Sequence, residues 1–436
     1  MKKYLTVITL GLALCAAGTL RAQEATKTIN EKELSLSIRQ IIDKYYREAN
    51  FWVGGAPGKE YLDAKNEEKL SLFLSEFPYN TPANAFKQTS VYSEPGAPWR
   101  NEEYMKWIDL ARRNRQVVRC HGPVSPQCSV WAKGLDHTAE ELLPVMTRYM
   151  TELSKELEKN SDVVRWMDVV NETVATTDNN EYYKKGDWFG PMAKNVFWQN
   201  PWLVIGLDEK SGIPIYIIKA FELANQYAPS IKKVFNQNGG GKDGVAWEKI
   251  KNTILYLRLI GQRVDGLGWQ AHVSLGWEKD PANKKGISDL IDWCHANGLE
   301  FHVTELDVIC PNQQTWENDR QAQAVTIKAV MDTALEKLGK GAVAVNFWDI
   351  TSGSRNLSGK QMKYFGGVWP RKVDMDDPVY LSIKRSLLEH APKVPPAACP
   401  SKKAAPKDAA LKDAKGSKSA PTKAAKAPKA DKKSGR

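Results

Sequence analysis

The chain is poor in the features that mark several common protein classes. Its six cysteines among 436 residues form no CxxC pair and no Cys/His cluster at metal-ligand spacing, which argues against a structural zinc. No apolar run of ~20 residues, the length of a membrane helix, occurs beyond the extreme N-terminus. Gly54-Gly55-Ala56-Pro57-Gly58 lacks the spacing of a phosphate-cradling loop, which argues against a doubly wound nucleotide-binding sheet. A net positive charge is also missing from the body of the chain. The formal net charge is +11, but residues 400–436 hold +9 of it and residues 1–22 hold +3, leaving −1 for residues 23–399. A body so close to neutral gives a phosphate backbone little to bind. The expectation is a protein without metal, cofactor or nucleic-acid partner.

What is present begins with an export signal. Lys2 and Lys3 precede an apolar run from Tyr4 to about Leu20, followed by Leu20-Arg21-Ala22-Gln23, which predicts cleavage after Ala22. The expected location is outside the cytoplasmic membrane: secreted, periplasmic or on the cell surface. A lipid anchor on Cys15 is the competing reading, and the bulky Leu14 before it argues against that. Cys120, Cys128, Cys294, Cys310 and Cys399 remain after cleavage. An oxidising compartment permits a disulfide, and Cys120 and Cys128 are near enough in sequence to form one. At the other end, residues 394–436 are an Ala/Lys/Pro tail with almost nothing apolar to bury, so disorder is expected. A solvated tail is the simpler reading; electrostatic retention on an anionic cell envelope or acidic polysaccharide is the sharper one.

Between residues 28 and 393 short apolar runs alternate with helical patterns. The predicted strands are Phe51–Gly54, Phe77–Thr81, Gln116–Cys120, Arg165–Asn171, Lys233–Asn236, Gly266–His272, Leu299–Glu305 and Ala342–Trp348. Helix-like segments follow them. Leu142, Met146, Tyr149, Leu153 and Leu157 share one helical face behind a Thr138/Glu141 capping pattern, and Val379, Tyr380, Ile383 and Leu387 share another. Eight such units predict an α/β protein with one (β/α)8 TIM barrel as its single catalytic domain.

In that architecture the carboxyl ends of the strands form the active site. They supply His121, Asn171, Glu172, Asn236, Gln270, His272, Glu305, Asp307 and Trp348. Glu172 and Glu305 each end an apolar strand, where a charge is otherwise costly, and their two strands lie on opposite sides of the mouth. One buried Glu alone reads as a structural ion pair; two facing each other read as chemistry. Glycosidic bonds need a proton on the leaving oxygen and electrons at an oxocarbenium-like carbon, and two carboxyl groups supply both. The expected reaction is hydrolysis of a glycosidic bond with retention.

The residues around these carboxylates resemble a known family. Trp166-Met167-Asp168-Val169-Val170-Asn171-Glu172 is similar to the WDVVNE acid/base motif of the glycoside hydrolase family 10 xylanases. Val303-Thr304-Glu305-Leu306-Asp307-Val308 resembles their ITELDV nucleophile motif, and Asp265-Gly266-Leu267-Gly268-Trp269-Gln270-Ala271-His272 resembles DGIGLQSH. Fainter likenesses are Thr81-Pro82-Ala83-Asn84-Ala85-Phe86-Lys87 to TPENEMKW, Val118-Arg119-Cys120-His121 to VRGH, and Phe347-Trp348-Asp349-Ile350-Thr351 to WGVTD. The resemblance implies an endo-β-1,4-xylanase with Glu172 as acid/base and Glu305 as nucleophile. It further implies that Asn171 holds the sugar 2-hydroxyl and that His272 and Asp307 orient the nucleophile. Asn84, Lys87, His121 and Gln270 would line the sugar subsites, with Trp348 stacking on a ring. The implied partner is a polysaccharide, xylan or a related β-glycan, and the implied state is a monomer.

The motif also breaks down in places. Ala83 stands where the family has Glu. The Trp-His pair after His121 is replaced within Gly122-Pro123-Val124-Ser125-Pro126-Gln127-Cys128, with Trp131 nearby as a substitute. Asn236-Gln237-Asn238 and three glycines stand for Asn-Asp-Tyr, and no second Trp follows strand eight near Ser352-Gly353-Ser354-Arg355. All of these losses fall at sugar subsites. Trp188, Phe189, Trp198 and Trp202 offer either stacking faces or loop packing. Two other readings compete: action on another β-linked polysaccharide, and a carbohydrate-binding protein on a retired hydrolase barrel.

Overall fold

The computed structural model describes residues 31–134, 136–178, 183–190, 200–348, 350–356 and 362–392. The export segment, the basic tail, Trp198, Asp349 and Cys399 lie outside these residues. Every strand read from the sequence is present. They are β1 (Phe51–Gly55), β2 (Tyr79–Asn80), β3 (Val117–Cys120), β4 (Val164–Asn171), β5 (Lys232–Gln237), β6 (Gly266–Trp269), β7 (Glu300–Cys310) and β8 (Val343–Phe347). Each pairs in parallel with the next, and β8 pairs with both β7 and β1, so the sheet closes into a (β/α)8 barrel. Parallel neighbours need long crossovers, and helices supply most of them.

The helix Ala139–Lys159 shows why the pattern was readable. Thr138 and Glu141 form the reciprocal capping box, with the Thr138 N–H donating to Glu141 Oε2 at 2.9 Å. Leu142, Met146, Tyr149, Leu153 and Leu157 are all buried, each side chain contributing ~1.5–3 kcal/mol by leaving water. The Tyr149 hydroxyl donates to Phe86 O at 2.5 Å, tying the helix to the loop after β2.

The barrel interior is layered. Tyr79, Trp166, Val234 and Ala344 form an apolar plug, with Trp52 and Val117 against it. Above the plug, Arg119 makes a buried, two-pronged ion pair with Asp168, donating through Nε at 2.9 Å and also through Nη2. Its other amino group reaches the Tyr79 hydroxyl at 3.4 Å. An ion pair so deep is tolerated because most of its polar atoms find partners. The site occupies the layer above.

Three features were not read from the sequence. β7 does not stop at Glu305; it continues to Cys310 and carries a small second sheet over the mouth. His272–Ser274 joins it in parallel, and the hairpin Gly353–Asn356/Met362–Gly366 joins it antiparallel. The stretch that lacks the family's second Trp is therefore one arm of that hairpin. Gly241, the last of the three glycines after β5, makes a backbone seam with Gly286. A Cβ on Gly241 would lie 2.2 Å from Asn283 O, and one on Gly286 would lie 1.9 Å from Gly241 O. Finally, Cys120, Cys128, Cys294 and Cys310 are all buried free thiols. The permitted Cys120–Cys128 disulfide is not formed, because Cys128 turns its Sγ toward Pro123 O, 2.6 Å away.

Candidate active site

Glu172 follows the last residue of β4 in a left-handed backbone conformation, φ 55°. Side chains other than glycine adopt it at a cost of order 1 kcal/mol or more, usually where the surroundings impose it. Here the loop after β4 is held by Gln237, whose Oε1 accepts from the backbone N–H groups of Thr173 at 2.9 Å and Val174 at 3.2 Å. The same kind of turn recurs at Ala271, φ 61°. It ends β6 and starts the short strand that sets His272 beside Asp307.

A run of amides joins the two glutamates. Gln270 Nε2 donates to Glu172 Oε1 and to Asn171 Oδ1, both at 3.0 Å. Asn236 Nδ2 donates to the same Asn171 oxygen and to Glu305 Oε1, both at 2.9 Å. Two imidazoles approach Glu305 from the other side. His272 Nε2 lies 3.3 Å from its Oε2, while Nδ1 contacts Asp307 Oδ1 at 2.9 Å. His121 Nδ1 lies 3.9 Å from Glu305 Oε1 and 2.9 Å from Asp168 Oδ2.

These surroundings drive the two carboxyl groups apart. Burial alone would raise Glu305, but His121, His272 and Lys87 outweigh it and hold the carboxyl at about 2. Burial raises Glu172; the Gln270 hydrogen bond opposes this and the Glu305 charge adds to it, and the net shift is upward. Burial would lower His272, but Asp307 and Glu305 together raise it well above its usual value, so both ring N–H groups donate. One carboxylate is thus ionised and the other retains its proton to higher pH, the division of labour that acid/base chemistry needs.

Trp348 sits over the site with its ring edge-on to His121, 4.9 Å between centroids, and to His272, 6.5 Å. Burial lowers the Lys87 ammonium, and the charges of Glu305 and Glu172 oppose this. Asn84 is exposed on the loop after β2. Eight of the ten residues singled out from the sequence converge through contacts with one another and with Asn236; Lys87 joins through charge, and Asn84 stands apart.

Three participants were missed. Asn236 was seen at a strand end but given no role. Asp168 sits inside the acid/base motif, but its partner Arg119 comes from another strand, so the pair has no local sequence signature. Lys133, in the segment Val130–Gly134, lowers to about 8 through burial, with the Glu172 charge opposing and Lys87 adding to the shift. No sequence signal marks it. Of the aromatic cluster, Trp202 is fully buried and donates to Ser125 O at 3.2 Å, and Phe189 is buried. Trp188 donates to Gly212 O at 2.9 Å, with Lys249 over its ring. Trp131 stacks on His137 at 3.9 Å between centroids. These rings serve loop packing.

The sequence model of the family described as Glycosyl hydrolase family 10 matches residues 42–367. Endo-1,4-beta-xylanase B of Thermotoga neapolitana is 23% identical over 307 residues, covering 69% of this chain and 78% of that protein. Endo-1,4-beta-xylanase A of Halalkalibacterium halodurans is 22% identical over 362 residues, covering 78% and 83%. The crystal structure of xylanase 10B from Thermotoga petrophila in complex with xylobiose aligns with a TM-score of 0.63 at 22% identity, covering 81% of this chain and 97% of that one. At that identity the structural likeness speaks for the barrel. The family match spans most of the chain and both glutamates, and the chain therefore belongs to glycosyl hydrolase family 10 and is a glycosidase.

Proposed function

We propose that this chain is an exported endo-β-1,4-xylanase that cleaves with retention of configuration. The observation that carries the reading is the pair of oppositely tuned carboxyl groups, joined through Gln270, Asn171 and Asn236. Glu305, ionised, attacks the anomeric carbon while Glu172 gives its proton to the leaving oxygen. Glu172 then takes a proton from the water that hydrolyses the glycosyl-enzyme. Asn171 meets the sugar 2-hydroxyl, and Trp348 offers a ring face above His121 and His272. Asn84, Lys87, His121 and Gln270 line the sugar subsites. Two relatives named as endo-1,4-beta-xylanases support xylan as the substrate. Ala83, the segment 122–128 without its Trp-His pair, and Asn238 favour a substrate with fewer contacts beyond the central sugars.

The test is reducing-sugar release from xylans, mixed-linkage glucans and mannans, with the first-formed anomer followed by proton NMR. Release from xylan with the β-anomer appearing first is expected. Release from another β-glycan alone would move the substrate, the α-anomer first would rule out retention, and no release at all would favour a binding protein. For the basic tail we propose retention on an anionic envelope. Deleting residues 394–436 should free the protein from envelope fractions at low salt, and unchanged fractionation would sink that idea.

A further inference from the structure

Beneath the two glutamates a second series of hydrogen bonds crosses the barrel and meets the first at Asn236; its other members, Thr81, Thr304 and Asn346, play no part in the reaction described above. The Thr81 hydroxyl donates to Asn346 Oδ1 at 3.0 Å. Asn346 Nδ2 donates to the backbone carbonyl of Thr304 at 2.8 Å. The Thr304 hydroxyl donates to Asn236 Oδ1 at 2.8 Å. Thr81, Asn236, Thr304 and Asn346 are each at most 1% exposed, so water does not offer a substitute partner. Gly268 leaves the space for the central contact. A Cβ there would lie 2.3 Å from Asn236 Oδ1 and 2.8 Å from Thr304 Cγ2.

The direction of this series is fixed at two points by groups that can only accept. The Thr304 carbonyl can only accept, so Asn346 must turn its NH2 toward it and its oxygen toward Thr81. The ionised Glu305 carboxylate can only accept, so Asn236 must turn its NH2 upward and its oxygen toward Thr304. The single proton of the Thr304 hydroxyl is then committed to Asn236. An amide reversed at position 236 would set a carbonyl oxygen against a carboxylate and leave buried donors unmatched, at ~1–3 kcal/mol for each.

We propose that Thr304, seated by Asn346, is a positioning residue that locks the Asn236 amide with its NH2 toward Glu305 and thereby turns the NH2 of Asn171 toward the substrate. The second part follows because Asn171 Oδ1 already accepts from both Asn236 and Gln270. Its Nδ2 is left as the end that meets a sugar hydroxyl, as a donor. The sugar contact rests on the xylan-cleaving reading; the orientation of Asn236 does not. Through Thr81 the same series reaches the start of the loop that carries Asn84 and Lys87, so that loop and the nucleophile share one hydrogen-bonded frame.

The test is Thr304→Val, which keeps the shape and removes the donor, with Thr304→Ser as the conservative rescue. Two readouts are followed: direct titration of the Glu305 carboxyl by carbon-13 NMR, and kcat/KM against pH on an aryl β-xylobioside. In Thr304→Val the Glu305 titration should move upward by about one pH unit. The acid limb of kcat/KM should follow it, with a roughly 10- to 100-fold loss at the optimum. Thr304→Ser should lie within about twofold of the parent. If the valine protein does not fold, Thr304→Ala removes the same donor without adding a methyl group and carries the test. A folded variant lacking the hydroxyl whose Glu305 titrates as in the parent would overturn the proposal, as would a serine variant that behaves like valine. The NMR titration needs no turnover, so inactivity on every xyloside would count against the substrate and leave the orientation of Asn236 to be decided by the carboxyl itself.

Discussion

Replacing Glu305 by alanine is expected to lower kcat by about 10⁵- to 10⁶-fold, the scale on which removing a nucleophile acts when the rest of the site is intact. The geometry makes that loss specific. Asn236, His272 and His121 converge on this one carboxylate, and no other acidic group on the described residues receives that set of contacts. A cavity remains where the carboxylate stood, facing the anomeric carbon and rimmed by His272 and His121. Added azide or formate should enter it and restore turnover of an aryl xyloside with a good leaving group. Azide attacks from the side the carboxylate used, so the product should be the inverted glycosyl azide. Rescue giving the azide of retained configuration would move the nucleophile elsewhere. The substitution should also change the response to acid. A carboxyl held at about 2 against an ordinary 4.5 contributes stability that is full above pH ~4.5 and lost as pH falls toward 2. Glu305→Gln should therefore flatten the acid side of the stability profile, an effect that thermal melts between pH 2 and 6 would record.

How much of this was legible depends on where each signal resides. The eight strands were readable because parallel barrel strands are apolar on both faces and each is bounded by a helical period. Glu172 and Glu305 were readable because a charged residue closing such a run has few structural uses. The extension of β7 was hidden for the same reason. Glu305 and Asp307 resemble the start of a loop until His272 arrives from another strand to neutralise them. Asn236 reads as an ordinary polar strand end; its importance comes from Asn171, Thr304 and Glu305, which lie far away in the chain. Arg119 and Asp168 fall on two strands 49 positions apart, and only the barrel brings them into contact. The unformed Cys120–Cys128 disulfide marks a limit of another kind. Sequence separation permits a bridge, while side-chain direction decides it. Asn84 and Lys87 came only from likeness to family motifs, and there the structure divides them, with one exposed and the other beside both carboxylates.

Glu172→Ala should separate substrates by leaving group rather than abolish every reaction. A polysaccharide leaves as an alkoxide that needs the proton, so its cleavage should fall by about 10²- to 10⁴-fold, the usual contribution of general acid catalysis. A dinitrophenyl xyloside leaves without help, and its first step should be nearly unaffected. Its turnover would then be limited by hydrolysis of the glycosyl-enzyme, which lacks its base, and would show a burst in pre-steady-state measurements. Azide should accelerate that second step and give the product of retained configuration, the opposite stereochemistry from Glu305→Ala. The pH dependence carries the same assignment. Burial, reinforced by the Glu305 charge against the Gln270 hydrogen bond, raises Glu172. The alkaline limb of kcat/KM should thus lie above the ordinary glutamate value and vanish in the alanine variant. A raised carboxyl stabilises the fold fully below its unfolded value, and that contribution is lost as pH rises through the folded one. Glu172→Gln, which cannot ionise, should accordingly melt higher than the parent at pH 7 and about equal to it at pH 4. Equal melting at both pH values would show that Glu172 is not held out of water in the way its acid role requires.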